Sequence, residues 1–442
     1  MEWWKLRKTF NLNIFLIAIF WVLGLKSITK SPPAIFPDSG GYLLGTTEKA
    51  WGNFSLIGES VRAWPTQFIF ALASDNDGRV LVQILLYLSS VTLFLFATTQ
   101  FKKNRSSYFS TLLVCSLFLT DNVFQWNFTI LSESSTLSFY LTGISFVILS
   151  LKYERFSLLF FSIALFFMML GCLVRLQLLV PTILISIFVV LINRRARFIA
   201  PRVFLLVCIV SYSLFLNSNI SAVWGGGLGQ TSKNTTSFYF LTATETKNDR
   251  LSDRLFESIP KSAPSCLQTN DSRAPFVESP GPYVFQSQQY LRCLPGVLWL
   301  NENFISFYLK FLFTNPAYIL ETAWTYLPES ISDVTYSNYD GYIPTWLQDL
   351  WTTNANYVTN PIPFYIWVLF PLLALLLKRK DLVKVQTLGL VVIWLGLLGS
   401  LLSTYLFMNA ELARIAVSSV YPLISLSIIL TLQFFSRGGG KK

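Results

Sequence analysis

The chain has 442 residues, 53% of them hydrophobic and 16% aromatic, with only 13% charged, and its mean hydropathy is +0.51. Soluble domains carry roughly 25% charged residues, so this composition excludes a water-soluble globular protein and makes lipid the main solvent. The net charge of +11 does not indicate a nucleic-acid partner, because the cations form short clusters between apolar runs and no single basic face.

The apolar runs cover 9–26, 79–99, 107–121, 135–151, 157–172, 177–193, 202–219, 363–377, 385–407 and 412–435, and they are nearly free of charge. At ~1.5 Å per residue most are long enough to cross a hydrocarbon core of ~30 Å; 107–121 and 157–172 need their flanks to do so. The pattern predicts an all-α polytopic membrane protein with about ten transmembrane helices. The first run has a charged start, as a signal peptide does, but no small-x-small cleavage site follows it, and it is read as a retained span. Lys102, Lys103 and Arg105, then Lys152 and Arg155, then Arg194, Arg195, Arg197 and Arg202, then Lys378, Arg379, Lys380 and Lys384 fall in every second connection. Short basic loops are cytoplasmic, so both termini are expected inside and the long polar loops outside.

Three blocks follow in chain order. Residues 1–219 form an N-terminal transmembrane module with a first outer loop at 27–78. Residues 220–362 form a large outer region, and 363–442 hold the C-terminal spans. The first outer loop has Trp51, Phe54, Trp64, Phe68 and Phe70 among polar residues, a spacing suited to amphipathic helices at headgroup level; Pro65 fits a first helical turn. In the second outer region, 303–327 is apolar but interrupted by Asn315-Pro316. The residue before a proline avoids the helical region, so two short helices on or dipping into the membrane surface are expected. A full span there would place Lys378-Arg379-Lys380 outside, against the charge rule. Cys266 and Cys293 fall in this same outer region, where an oxidising compartment favours a disulfide between them. Cys115, Cys172 and Cys208 sit in or beside spans as small apolar packers.

There is no histidine. A Ser-His-Asp triad, an HExxH zinc site and an imidazole base are therefore excluded, and acid–base work falls to carboxylates, tyrosine or lysine. Few carboxylates lie at the outer rim. Asp38 stands in Phe36-Pro37-Asp38-Ser39-Gly40-Gly41-Tyr42, which is turn chemistry; it either folds the loop as an Asx-turn or presents a carboxylate from a rigid turn. Glu133, in Leu131-Ser132-Glu133-Ser134-Ser135, either favours a helix N-terminus or has a functional role, since charges near a bilayer are costly. Arg175 occupies a tight turn between two spans, where it either snorkels to headgroups or binds phosphate bidentately. Glu411 and Arg414 are three residues apart at the start of the last run, as an i,i+3 pair or as ligands. Arg62 is a further anion contact or an ordinary surface charge.

In order along the chain, PDSGGYL, ESVRAWPTQFIFAL, GRVLVQILLYLSS, LSESSTLSFYL, VRLQLLVPTIL, TNPAYIL and ELARIAVSSVYPLISL together resemble the GT-C superfamily of polyprenyl-phosphate-sugar-dependent glycosyltransferases. That superfamily includes the protein O-mannosyltransferases and the lipid A aminoarabinose transferases. The resemblance implies a GT-C-like bundle in a bacterial inner (plasma) membrane with an outward-facing active site. Asp38 matches the catalytic acid, with Tyr42 supporting it; the acidic pair of some members is Asp38-Ser39 here, so one carboxylate carries over. Glu133 matches a recurrent acid of the catalytic group. Arg175 and Arg414 match positions that bind the donor phosphate, with Arg62 a further contact and Glu411 in support. The implied partners are the lipid bilayer, a polyprenyl-phosphate sugar donor and a glycan, glycolipid or protein acceptor. No cofactor is required; a divalent metal is optional, since two arginines supply the charge. Residues 220–362 have no counterpart in the resemblance. Two other functions use similar features: a polymerase of lipid-linked oligosaccharide units, which the early Asp38 loop disfavours, and a lipid-linked glycan transporter or flippase, which requires more polar residues deep in the spans.

Overall fold

The computed structural model describes residues 11–29, 31–36, 39–43, 63–100, 102, 104–192, 196–224, 233–243, 249–269, 273, 293–326, 330, 385–407 and 416–436. Among them there is no strand; the chain is an all-α polytopic membrane protein. Its helices are α1 (Leu12–Lys26), α2 (Ser39–Leu43), α3 (Trp64–Ala71), α4 (Asn76–Thr99), α5 (Arg105–Phe118), α6 (Asp121–Phe124), α7 (Glu133–Lys152) and α8 (Ser157–Val174). They continue with α9 (Leu179–Ile192), α10 (Ala196–Trp224), α11 (Lys233–Thr242), α12 (Asp249–Glu257), α13 (Leu294–Thr314), α14 (Pro316–Tyr326), α15 (Val385–Phe407) and α16 (Val417–Ser436).

Among the described residues, six helices are long and apolar enough to cross a membrane, or up to seven when the bent pair Arg105–Phe118 and Asp121–Asn127 counts as one span. The run at 107–121 turns by 62° where α5 gives way to α6, and Leu176–Ile192 is a shorter apolar helix; α16 runs over 20 residues, Val417–Ser436. The 363–377 run lies outside the described residues. The run at 157–172 reaches span length by recruiting its flanks, as Glu154–Val174.

Short polar side chains start these helices where the backbone has unpaired N–H groups. The Asn11 side chain accepts from Asn13 N at 3.1 Å, Asp75 from Gly78 N at 2.7 Å and Asn104 from Ser107 N at 2.8 Å. α4 ends at Gln100, whose φ of 53° puts it in the left-handed region.

The outer faces are apolar and the buried faces mixed, the inverse of a soluble helix. On α1, Ile14, Phe15, Ile19, Val22 and Leu25 are exposed, whereas Asn13 is fully buried. Lipid offers no hydrogen bonds, so Asn13 is satisfied inside the bundle. Its Nδ2 donates to the Lys102 carbonyl at 3.1 Å and to Ser107 Oγ at 3.0 Å, and its Oδ1 accepts from Thr111 at 2.9 Å. This network joins the start of α1 to the α4–α5 connection, at the basic end of the bundle.

α7 is the central helix and packs on α4, α8, α15 and α16. It is buried along nearly its whole length although it carries many hydroxyls. Thr136, Ser145 and Ser150 turn these back onto carbonyls one turn earlier, at 2.7 Å each, which removes the cost of placing them away from water. Its closest approach is to α8. A Cβ at Gly143 would stand 2.4 Å from Met168 Cγ and 3.2 Å from the Ala164 carbonyl oxygen, so only glycine allows that spacing.

The helix around Pro65 is present as α3, with the proline in its first turn. It is buried more deeply than a helix lying at headgroup level, because it packs on α4, α7 and α8. The break expected at Asn315-Pro316 separates α13 from α14. Beyond the bundle, α11 to α14 are fastened to each other. Thr235 Oγ1 donates to Asn301 Oδ1 at 2.7 Å, Arg254 meets Glu321 at 2.7 Å and Arg273 meets Asp253 at 2.6 Å. Cys266 and Cys293 are joined by a disulfide. Burial pushes Tyr239 of α11 up to about 12 and raises Tyr308 and Tyr318 further, so all three stay neutral.

Gly143→Leu is expected to lower the midpoint of thermal unfolding in detergent, through overpacking of about 1–3 kcal/mol. Gly399→Leu, where an added Cβ meets nothing within 4 Å, should leave it unchanged. Equal midpoints for the two variants would contradict the tight α7–α8 contact.

Candidate functional site

At the end of the bundle opposite the Asn13 network, several separate stretches of sequence converge. The segment before α7 lies across the mouth of the bundle. Ala34 N donates to the Phe128 carbonyl at 2.7 Å and Ile130 N to the Ala34 carbonyl at 3.0 Å. Gln83 Nε2, from α4, donates to the carbonyls of Asn127 and Thr129 at 3.3 and 3.0 Å. Ser134 donates to Asn127 Oδ1 at 2.6 Å, which ties the first turn of α7 to the same segment. These bonds satisfy a stretch of irregular backbone that is buried within the protein, the condition under which such backbone is tolerated at membrane depth.

Glu133 is the first residue of α7. The helix dipole favours a carboxylate there, and its side chain is 1% exposed. A buried carboxylate needs a counter-charge. Arg175 supplies it: its Nη2 donates to Glu133 Oε1 in a very short contact and also approaches Ser132 Oγ at 3.4 Å. Arg175 caps α8, with its backbone N–H bonded to the Gly171 carbonyl at 2.8 Å and its own backbone extended (φ −135°, ψ 97°). The extended residue turns the chain into the Leu176–Leu178 turn and directs the side chain across the bundle end toward α7. The Arg175 side chain is 20% exposed, and its guanidinium carries five N–H donors.

The first loop reaches the same place. Tyr42 is buried, its ring edge-on to Phe70 at 6.3 Å between centroids, and its hydroxyl donates to Ser132 Oγ at 3.0 Å. Phe36 and Ser39 are joined by two bonds: Ser39 N donates to the Phe36 carbonyl, and Phe36 N to Ser39 Oγ, both at 2.9 Å. α3 adds Thr66, whose hydroxyl lies 3.2 Å from that of Ser135. From the C-terminal spans, Ser400 of α15 donates to the Gln177 carbonyl at 3.4 Å and lies 2.9 Å from Ser419 of α16.

Of the residues singled out from sequence, Tyr42, Glu133 and Arg175 therefore come together. Asp38, Arg62, Glu411 and Arg414 lie outside the described residues. Ser132, which joins Tyr42 to Arg175, is a site residue that sequence reasoning misses; its one signal is the Ser-rich Leu131–Ser135 stretch beside a single acid. Among the described residues no three histidine, cysteine or acidic side chains are grouped as metal ligands would be. Chemically, the arrangement offers an anchored, partly exposed cation of the kind that suits an anion, paired with a carboxylate that keeps it oriented.

No protein-family model and no curated protein matches the sequence. A solved structure that is similar over 96% of this chain and 77% of its own is the crystal structure of ArnT from Cupriavidus metallidurans bound to undecaprenyl phosphate, with 14% identity and a TM-score of 0.34. A likeness of that degree carries no argument about fold family or activity.

Removing Arg175 strands a buried carboxylate. Arg175→Ala is expected to lower the unfolding midpoint by a loss approaching the about 3–5 kcal/mol that follows when a buried pair loses one member. The double variant Glu133→Gln/Arg175→Met should recover most of it. Strictly additive losses in thermal unfolding would show that the two side chains are not coupled.

Proposed function

We propose that the chain is an integral membrane glycosyltransferase that moves a sugar from a polyprenyl-phosphate carrier to a hydroxyl of a glycan, glycolipid or protein on the non-cytoplasmic face. The observation that carries this reading is the meeting of Arg175 and Glu133 with Tyr42 through Ser132. The PDSGGYL, LSESSTLSFYL and VRLQLLVPTIL segments are far apart in the chain, and an enzyme of this class needs a base from the first and a phosphate-binding cation from the last at one place.

The chemistry is that of displacement at the anomeric carbon. The acceptor hydroxyl oxygen attacks the face opposite the carrier phosphate, and its proton passes to the Asp38 carboxylate as the new C–O bond forms. The bond from the anomeric carbon to the phosphate oxygen breaks, its electron pair leaves on the carrier phosphate, and configuration inverts. A phosphate leaves without prior protonation, so a second acid is not required; fixed cations offset the growing charge instead. Arg175 and Arg414 serve that role, with Arg62 as a further contact and Glu411 in support of Arg414. Glu133 acts with Arg175, holding it in the open site before the donor arrives and sharing it with the phosphate afterwards. The cationic connections support cytoplasmic termini and an outward-facing position for this end of the bundle.

Purified protein in detergent or vesicles is to be given candidate polyprenyl-phosphate sugars with a mixed acceptor pool, and donor consumption followed. Asp38→Asn should reduce turnover by about 10²–10⁴-fold, the range of a general base, without changing thermal stability. Full activity in that variant would remove the assignment. Arg175→Lys keeps the charge but loses the planar fork; it should raise the donor KM and lower kcat, by up to about 10²–10³-fold in kcat. An unchanged donor KM would exclude Arg175 from the phosphate site.

A further inference from the structure

The helices outside the bundle contain a second inside-out surface. α14 has 11 residues, about 16 Å at 1.5 Å per residue, far too short to cross a bilayer. Its buried stripe is Tyr318, Thr322 and Tyr326, at i, i+4 and i+8. Its exposed stripe is Ala317, Leu320 and Trp324, with Leu320 74% and Trp324 64% exposed. Just before the Asn315 break, Phe313 of α13 is 85% exposed. The more polar stripe thus faces protein and the wholly apolar one faces outward. Water selects the opposite arrangement; the spans of this chain show the same inversion, as on α1, where Asn13 is buried and Phe15 and Val22 are exposed.

The position of α14 relative to a span identifies what covers this surface. α14 packs on α15, a membrane-crossing helix. α13 is tied to the end of that span, where the Tyr308 hydroxyl donates to the Leu406 carbonyl. The apolar face of the elbow is therefore continuous with lipid-facing surface. On its other side, Glu321 pairs with Arg254 at 2.7 Å, and the largely exposed Arg250 lies 3.8 Å from it. This polar rim is what a helix at the boundary of headgroups and acyl chains carries.

We propose that the α13–α14 elbow is a membrane anchor: Phe313, Leu320 and Trp324 enter the lipid at the edge of α15 and seat the disulfide-closed α11–α14 unit on the bilayer. Arg250 and the Arg254–Glu321 pair then lie at the headgroups. The anchor is independent of the glycosyltransferase reading, since it requires only that α15 crosses a membrane.

Nitroxide labels at Leu320→Cys, Trp324→Cys and Lys261→Cys test it, in full-length protein carrying Cys208→Ala with the Cys266–Cys293 bridge intact, in phosphatidylethanolamine/phosphatidylglycerol vesicles. Lys261 lies on an exposed turn of the same unit. Labels at 320 and 324 should collide more often with oxygen than with a water-soluble nickel chelate, and the label at 261 should show the reverse. Equal nickel access at 320 and 261 overturns the proposal. A photoreactive residue at 320 should crosslink to phospholipid; crosslinks to residues 331–384 or to a second copy of the chain in its place would assign the face to protein and also overturn it.

Discussion

Every polar side chain turned into this bundle must find its partner on another helix or on its own backbone, because hydrocarbon supplies none. The Glu133–Arg175 pair is the most demanding instance. A carboxylate with 1% of its side chain exposed is stable there only with a cation and the α7 dipole beside it. The pair fixes where the α8–α9 turn sits relative to the start of α7. Through Ser132 it also fixes Tyr42 and hence the first loop. The central α7, the irregular 128–132 segment and, through Tyr42, the first loop all come together beside that one charged contact.

The two ends of the bundle put the same physics to different uses. At the basic end, Asn13 directs its hydrogen-bonding groups to Lys102, Ser107 and Thr111 and is purely a clasp between helices. At the other end the polar groups are linked, yet the Arg175 side chain stays 20% exposed. That difference, and no count of polar residues, is what makes this end the candidate site. The α11–α14 unit adds a third pattern, in which ion pairs and a disulfide hold short helices together while the outward face is left apolar.

Much of this fold is legible in the order of residues alone. The apolar runs form helices, Pro65 falls in a first turn and Asn315 breaks α13 from α14, because length, proline and charge act locally on the backbone. Glu133 and Arg175 stand out as isolated charges beside apolar runs, where any charge is costly. Two features cannot be read locally, the bend of 62° after α5 and the burial of α3, since both depend on neighbours distant in sequence. Ser132 is silent for a related reason: a serine among serines has no signal until a tyrosine 90 residues earlier donates to it.

The sequence by itself therefore determined the solvent, the helical class and the short list of charged residues, since hydropathy and charge placement are properties of consecutive residues. Only the tertiary structure decided which of those charges meet. The contact of Glu133 with Arg175 crosses 42 residues of chain. It forms because α7 and α8, packed closely through Gly143, bring a carboxylate and a guanidinium together in a medium that solvates neither.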